Sequence, residues 1–143
     1  MQKLDIYKLS KGKSKNIKIG ELSQEIIDIL ELDLKPQNIN TWSTRIAEHC
    51  EKHKYEYSST SNFNQAVSSI PLIIEQPDYI GIHPKNGNIQ YVKRLNDISL
   101  VGIHIVHGSD GLLFRTIFPI SEIKLENSIK SGKFIPYKKL GDT

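Results

Sequence analysis

Residues Tyr79 to Ile120, YIGIHPKNGNIQYVKRLNDISLVGIHIVHGSDGLLFRTIFPI, decide the fold. Four runs in this stretch, YIGIHP, NIQYVKRL, ISLVGIHIV and LLFRTIFPI, are rich in β-branched and aromatic residues, the composition of strands. The connectors between them are short. Lys85-Asn86-Gly87-Asn88 carries the Asn-Gly signal of a tight hairpin, Asn96-Asp97 supplies a second turn, and Gly108-Ser-Asp-Gly111 suits a slightly longer one. Tight turns in series leave no room for crossover helices, so the four strands form an antiparallel meander.

Working outward, the period changes to that of helices. Towards the C-terminus, SEIKLENSIKSGK reads as a short helix with Ser121 at its cap, Glu122 in its first turn and Gly132 near its stop. Upstream, NFNQAVSSIPLIIEQ carries Ala66, Val67, Ile70, Ile73 and Ile74 as an apolar face. Pro71 kinks this helix or begins a second one, and Pro77 ends it. TWSTRIAEHCEKHK, Thr41 to Lys54, is expected to be a helix capped by Thr41 or Ser43. Trp42, Ile46, His49, Cys50 and His53 fall on one stripe of it. ELSQEIIDIL, Glu21 to Leu30, is a short amphipathic helix on Leu22, Ile26, Ile29 and Leu30, and LDLKPQNIN is a connector. The fold class expected is α+β: helices first, a four-stranded antiparallel sheet second, and a short closing helix. Lys11-Gly-Lys-Ser-Lys15 reads as a solvated loop.

With 143 residues the chain is expected to make one compact domain, 1–40 forming a helical extension to 41–143. A hydrophobic content of 38% is enough for a core, and no apolar run approaches the roughly 20 residues of a membrane span. The lysine-rich N-terminus lacks the apolar segment of a signal peptide. The single cysteine cannot make an internal disulfide, so the expected location is cytoplasmic. The net charge of +3 comes almost wholly from lysine; it permits a polyanionic partner without demanding one.

RIAEHCEKHK, Arg45 to Lys54, holds two histidines four residues apart. On a helix they face one way, as metal ligands do, but no third ligand accompanies them and no HExxH glutamate is present. Cys50 points about 100° away from His49 around the helix. Buried packing beside Trp42 and Ile46 is the alternative to a chemical role.

The histidine-bearing helix, the Pro77-Asp78-Tyr79 step into the first strand, and Arg115-Thr116 on the last strand come in an order that resembles a known family. It is the phage-associated branch of the barnase–EndoU–colicin–RelE superfamily of metal-independent ribonucleases. The resemblance covers roughly Thr41 to Lys133. It implies a small RNA-cleaving, toxin-like domain without a cofactor, acting on tRNA or another structured RNA, with an antitoxin or immunity protein as partner. The unmatched N-terminal segment is then a candidate docking element. The alternative is a non-catalytic RNA- or protein-binding module of a phage or mobile element.

Metal-free RNA cleavage needs a base for the 2′-hydroxyl, an acid for the leaving 5′-oxygen and a cation for the phosphorane. His53, at the helix end, is the first choice for a proton-transfer role and His49 the second. Arg115 is a phosphate clamp or one half of a salt bridge, because an arginine within an apolar strand needs an anion. The resemblance gives Thr116 a phosphate-orienting role. Strict alternation conflicts with this pairing. It puts Arg115 with Leu113 and Ile117, and Thr116 with Phe114 and Phe118, so both reach one cleft only if a bulge or edge intervenes. Lys93, on a strand side with Ile89 and Tyr91, is a solvated charge or a phosphate contact. His104 faces away from Val101, Ile103 and Ile105, towards substrate or solvent. Lys85, beside the first hairpin turn, is a candidate substrate contact or a plain surface residue; His83 and His107 also flank turns, and Tyr137 in the tail folds back onto the site or packs.

Overall fold

In a computed structural model, the structure describes residues 3–5, 13–106 and 111–138. The elements in order are β1 (Asn16–Leu22), α1 (Gln24–Leu30), β2 (Gln37–Trp42), α2 (Ser43–Glu51), a 3-10 turn (Lys54–Glu56), α3 (Thr60–Ser68), α4 (Ile70–Glu75), β3 (Tyr79–Ile82), β4 (Ile89–Lys93), β5 (Ser99–Val106), β6 (Gly111–Pro119), α5 (Glu122–Lys130) and β7 (Phe134–Pro136).

The fold is α+β, but its sheet has seven strands, in the order β1-β2-β6-β5-β4-β3-β7, and its helices are not gathered at the N-terminus. The expected meander is present as the antiparallel run β6-β5-β4-β3. Three further strands extend it. β7 pairs antiparallel with β3, and β2 joins β6 in parallel through Ile39–Leu112 and Asn40–Leu113. β1 pairs antiparallel with β2. Residues 16–22 and 37–42 are thus strands of the sheet, and the boundary expected after residue 40 falls inside β2.

Residues paired across neighbouring strands point to the same side of a sheet, so the ladder sorts its two faces. The inner face carries Ile39, Thr41, Ile80, Ile89, Tyr91, Val101, Ile103, Leu112, Phe114 and Ile117, all buried. Over it lie Phe63, Ala66 and Val67 of α3, Ile70, Ile73 and Ile74 of α4, and Ile46, Ala47 and Cys50 of α2. The chain between α3 and α4 breaks at Ser69, with Pro71 in the first turn of the new helix, where its missing N–H costs nothing. Gly20 lets α4 approach β1: a Cβ there would stand 2.6 Å from Ile74 Cγ2.

Among the described residues the outer face is covered at one end only. Leu125 of α5 packs there with Val92, Leu100, Ile120 and Phe134. Ser121 caps α5 by accepting from the Lys124 N–H, and Gly132 follows at φ +79°. The other end, over β1, β2, the first half of β6 and the end of β5, presents Asn16, Lys18, Asn38, Trp42, Arg115 and His104 as exposed residues.

Two helices differ in extent from expectation. α1 begins at Gln24 with Ser23 accepting from the Ile26 N–H, and it leaves Ile29 outside the core. α2 ends at Glu51, so His53 lies beyond it, and Trp42 is the last strand residue, 43% exposed and off the buried stripe. Neither Thr41 nor Ser43 caps this helix. Ser43 instead exchanges two bonds with the Lys15 backbone, tying the loop before β1 to the start of α2. Among the described residues no helix is long and apolar enough to cross a membrane.

Candidate active site on the edge of strand β6

Strand β6 is where the expected catalytic residues meet, and its register explains how. Gly102 pairs with Thr116, while the next residue on β5, Ile103, pairs with Phe114. Arg115 has no opposite number, which is a β-bulge. Before the bulge, Leu113 points outward and Phe114 inward; after it, Thr116 and Phe118 point outward and Ile117 inward. The burial agrees: Phe114 and Ile117 are in the core, Arg115 is exposed, and Thr116 is half-buried. Arg115 and Thr116 therefore both turn away from the core, and the alternation that separated them is corrected by one extra residue. Thr116 keeps the expected company of Phe118 and loses that of Phe114.

The residue at the bulge also offers its carbonyl to a side chain. The parallel pairing of β2 with β6 stops at Leu113, and the chain turns from β2 directly into α2, which lies against the rest of β6. His49, on α2, has its Nδ1 2.6 Å from the carbonyl oxygen of Arg115. A carbonyl only accepts, so Nδ1 carries the proton, and a neutral His49 offers Nε2 as its basic nitrogen. Its ring stands edge-on to Phe114 at 6.4 Å. The ring is half-buried and held at both its polar and its apolar side.

His53 follows the same strand further along. Its ring lies 5.4 Å from that of Phe118, and its Nδ1 donates to the Glu56 carboxylate. With Nδ1 engaged by the Glu56 carboxylate, Nε2 is the nitrogen left to exchange a proton. Lys124 Nζ lies 5.7 Å from the centre of the Phe118 ring. Glu56 was not expected at the site, although its place three residues after His53 is a signal the sequence contains.

Arg115 has no ion pair or hydrogen bond among the described residues, unlike Arg94, whose Nη1 donates to both oxygens of Glu122 at 2.9 and 2.8 Å. The salt-bridge alternative for Arg115 thus finds no acid. His104 stands on the outer face of β5, exposed, its Nδ1 3.2 Å from Asn88 Oδ1. It shares that face with Gly102, and Gly102 pairs with Thr116, so His104 is a diagonal neighbour of Thr116. A Cβ at Gly102 would meet Thr116 Cγ2 at 3.1 Å; the glycine keeps a low floor between the two side chains. The same row continues through Gln90 to Gly81. Gln90 is 4% exposed with Oε1 unpartnered among the described residues, a feature no sequence pattern announced.

The remaining expected residues lie elsewhere. Lys93 is spent on structure: its Nζ donates to the Gln76 carbonyl at the end of α4 at 2.7 Å. Lys85 sits in the β3–β4 turn, where its N–H donates to His83 Nδ1. Tyr137 is 9% exposed and packs into the main core beside a cleft of about 500 Å³ lined by β1, α1 and α4. His107 and most of the Gly108–Gly111 turn lie outside the described residues, as do Lys11 and Gly12. Cys50 is buried, and burial, helped by Glu51, pushes its thiol up to about 12, which removes it from chemistry at neutral pH. Among the described residues no three His, Cys, Asp or Glu side chains are grouped to hold a metal ion.

Comparison with known proteins adds the family. No curated protein and no solved structure matches this chain. A family model does match, over residues 17–127, a span that starts within β1, includes α2 and the whole meander, and ends within α5. The chain belongs to the family described as phage-Barnase-EndoU-ColicinE5/D-RelE like nuclease3.

Proposed function

We propose that this nuclease is a metal-independent endoribonuclease that cleaves RNA by attack of the 2′-hydroxyl on the adjacent phosphate, leaving a 2′,3′-cyclic phosphate and a 5′-hydroxyl. The observation that carries the reading is the bulge at Arg115. One extra residue turns the Arg115 guanidinium and the Thr116 hydroxyl to the open side of the sheet, while its carbonyl holds His49.

In this reading His49 Nε2 takes the proton of the 2′-hydroxyl, its tautomer set by the bond from Nδ1. His53, its ring oriented by Glu56 at Nδ1, gives a proton from Nε2 to the departing 5′-oxygen. Arg115 faces the phosphorane, where a planar guanidinium matches two equatorial oxygens, and Thr116 donates a hydroxyl beside it. His104 lies on the same face, within reach of the strand of RNA rather than of the scissile bond. A domain of this kind attacks the RNA of its own cell, so the proposal includes a protein inhibitor, an antitoxin or immunity protein. Structured RNA such as tRNA is the substrate class proposed.

The test is incubation of purified protein with total RNA and with tRNA in EDTA, followed by mass analysis of the new ends. Cyclic phosphate ends that vanish when the 2′-hydroxyl at the cleavage site is replaced by hydrogen are expected. Cleavage that appears only with an added divalent cation, or equal cleavage of DNA, overturns the mechanism. Growth arrest on expression, relieved by His49→Ala or Arg115→Ala with the fold intact, is expected in parallel.

A further inference from the structure

The chain has one tryptophan, Trp42, and the fold leaves it 43% exposed. A lone exposed aromatic is ordinary on protein surfaces. Its position here is not. Ile39 and Thr41 of β2 point into the core, so Asn38, Asn40 and Trp42 point to the outer face, the side to which Arg115 and Thr116 turn. Asn40 pairs with Leu113 in a parallel register, and the two strands run on in the same direction, β2 to Trp42 and β6 to Arg115, each two residues beyond that pair. On its other flank Trp42 pairs with Asn16, whose side chain is exposed. A part-exposed indole therefore stands beside two carboxamides and one strand away from a guanidinium that has no partner among the described residues.

We infer that Trp42 is a stacking platform for a nucleobase of the RNA next to the scissile phosphate, with Asn40 and Asn16 placed to meet the base's polar edge. The inference rests on the RNA-cleaving reading above and adds to it the recognition of an unpaired base. Stacking suits the indole because every base has a π-face, and Arg115 supplies the charge that holds the backbone alongside. A protein partner is less well matched: the exposed side chains around the indole are short amides and cations, not an apolar surround.

Because Trp42 is the sole tryptophan, its fluorescence reports on this position alone. The probe is a 2′-O-methyl oligoribonucleotide, which cannot be cleaved, labelled for anisotropy. Binding is expected to quench Trp42 with the midpoint of the anisotropy curve, and an abasic oligonucleotide of the same length is expected to bind without quenching. Trp42→Leu is expected to weaken the base-bearing oligonucleotide about 5- to 150-fold while leaving the abasic one unchanged, and Trp42→Tyr to restore most of the loss. Binding or RNA cleavage without quenching, or full affinity in Trp42→Leu, overturns the platform and leaves the nuclease reading standing. Neither binding nor cleavage of RNA overturns both. Quenching by a protein inhibitor but not by the oligonucleotide assigns the face to protein and overturns the inference.

Discussion

Deleting Arg115 is an unusually clean perturbation, because the residue is the one without a partner in the ladder. Removing it leaves Phe114 opposite Ile103 and Thr116 opposite Gly102, and every other pair of β5 and β6 unchanged. The strand becomes regular and the core keeps Phe114 and Ile117. What disappears is the guanidinium and the carbonyl that accepts from His49. One neutral hydrogen bond is worth roughly 0.5–1.5 kcal/mol net, so the deletion is expected to fold and to lower Tm by only a few degrees, at roughly 2–4 °C per kcal/mol for a chain of this size. Arg115→Ala is the partner experiment. It keeps the bulge and the carbonyl, and loses only a charge-assisted contact of roughly 1.5–3 kcal/mol, or about 10- to 150-fold in kcat/KM. The deletion is expected to fall further, by up to the roughly 10²–10⁴-fold that a positioned base supplies. A double-mutant cycle sharpens this: His49→Ala is expected to cost much less in the deletion than in the wild type. Differential calorimetry and RNA-cleavage kinetics read both halves. Equal activity in the deletion and in Arg115→Ala refutes a role for the bulge carbonyl, and an unfolded deletion refutes the register itself.

Further outcomes follow from the packing. Gly20→Ala is expected to destabilise the protein by about 1–3 kcal/mol, seen in urea titration, because its Cβ would stand 2.6 Å from Ile74 Cγ2 and 3.2 Å from Ile74 Cβ, so the Ile74 side chain would have to shift. Cys50, buried with its thiol pushed up to about 12, is expected to resist a thiol reagent in the native state and to react once denaturant unfolds α2; rapid native labelling contradicts its burial. Asp97 gives a pH dependence. Burial raises its carboxyl, but the N–H and hydroxyl of Ser58, at 2.7 and 2.8 Å, together with Asn62, outweigh this and hold it below the usual aspartate range. A lowered folded value means the stabilisation is present above the unfolded value, about 3.9, and is lost as pH falls through the folded one. Asp97→Asn is therefore expected to destabilise at pH 7 and to converge with the wild type at the acid end of a pH series of melts.

How much of this was legible in the sequence depended on how local the cause was. The meander strands declare themselves by alternation and by turns such as Asn86-Gly87, where φ at Gly87 is +75°. The cap at Ser121 and the second helix begun at Pro71 are equally local. β2 was not legible, because QNINTW sends only Ile39 and Thr41 inward, and its parallel partner lies about seventy residues away on β6. Trp42 went with it: read as the first residue of a helix stripe it belongs inside, and as the last residue of a strand it belongs outside. The site sits between these cases. That Arg115 and Thr116 could not share a face by alternation was visible from the strand alone, and so was the device that would reconcile them. Which residue was extra could only be decided by β5, where Gly102 and Ile103 stand opposite Thr116 and Phe114. A strand that turns two neighbouring side chains to one side has to break its own alternation. On the other side of β6 the parallel pairing with β2 stops at Leu113, so the Arg115 carbonyl finds its donor outside the sheet. That donor is His49, so the residue turned outward at the irregularity also holds the histidine that would work beside it.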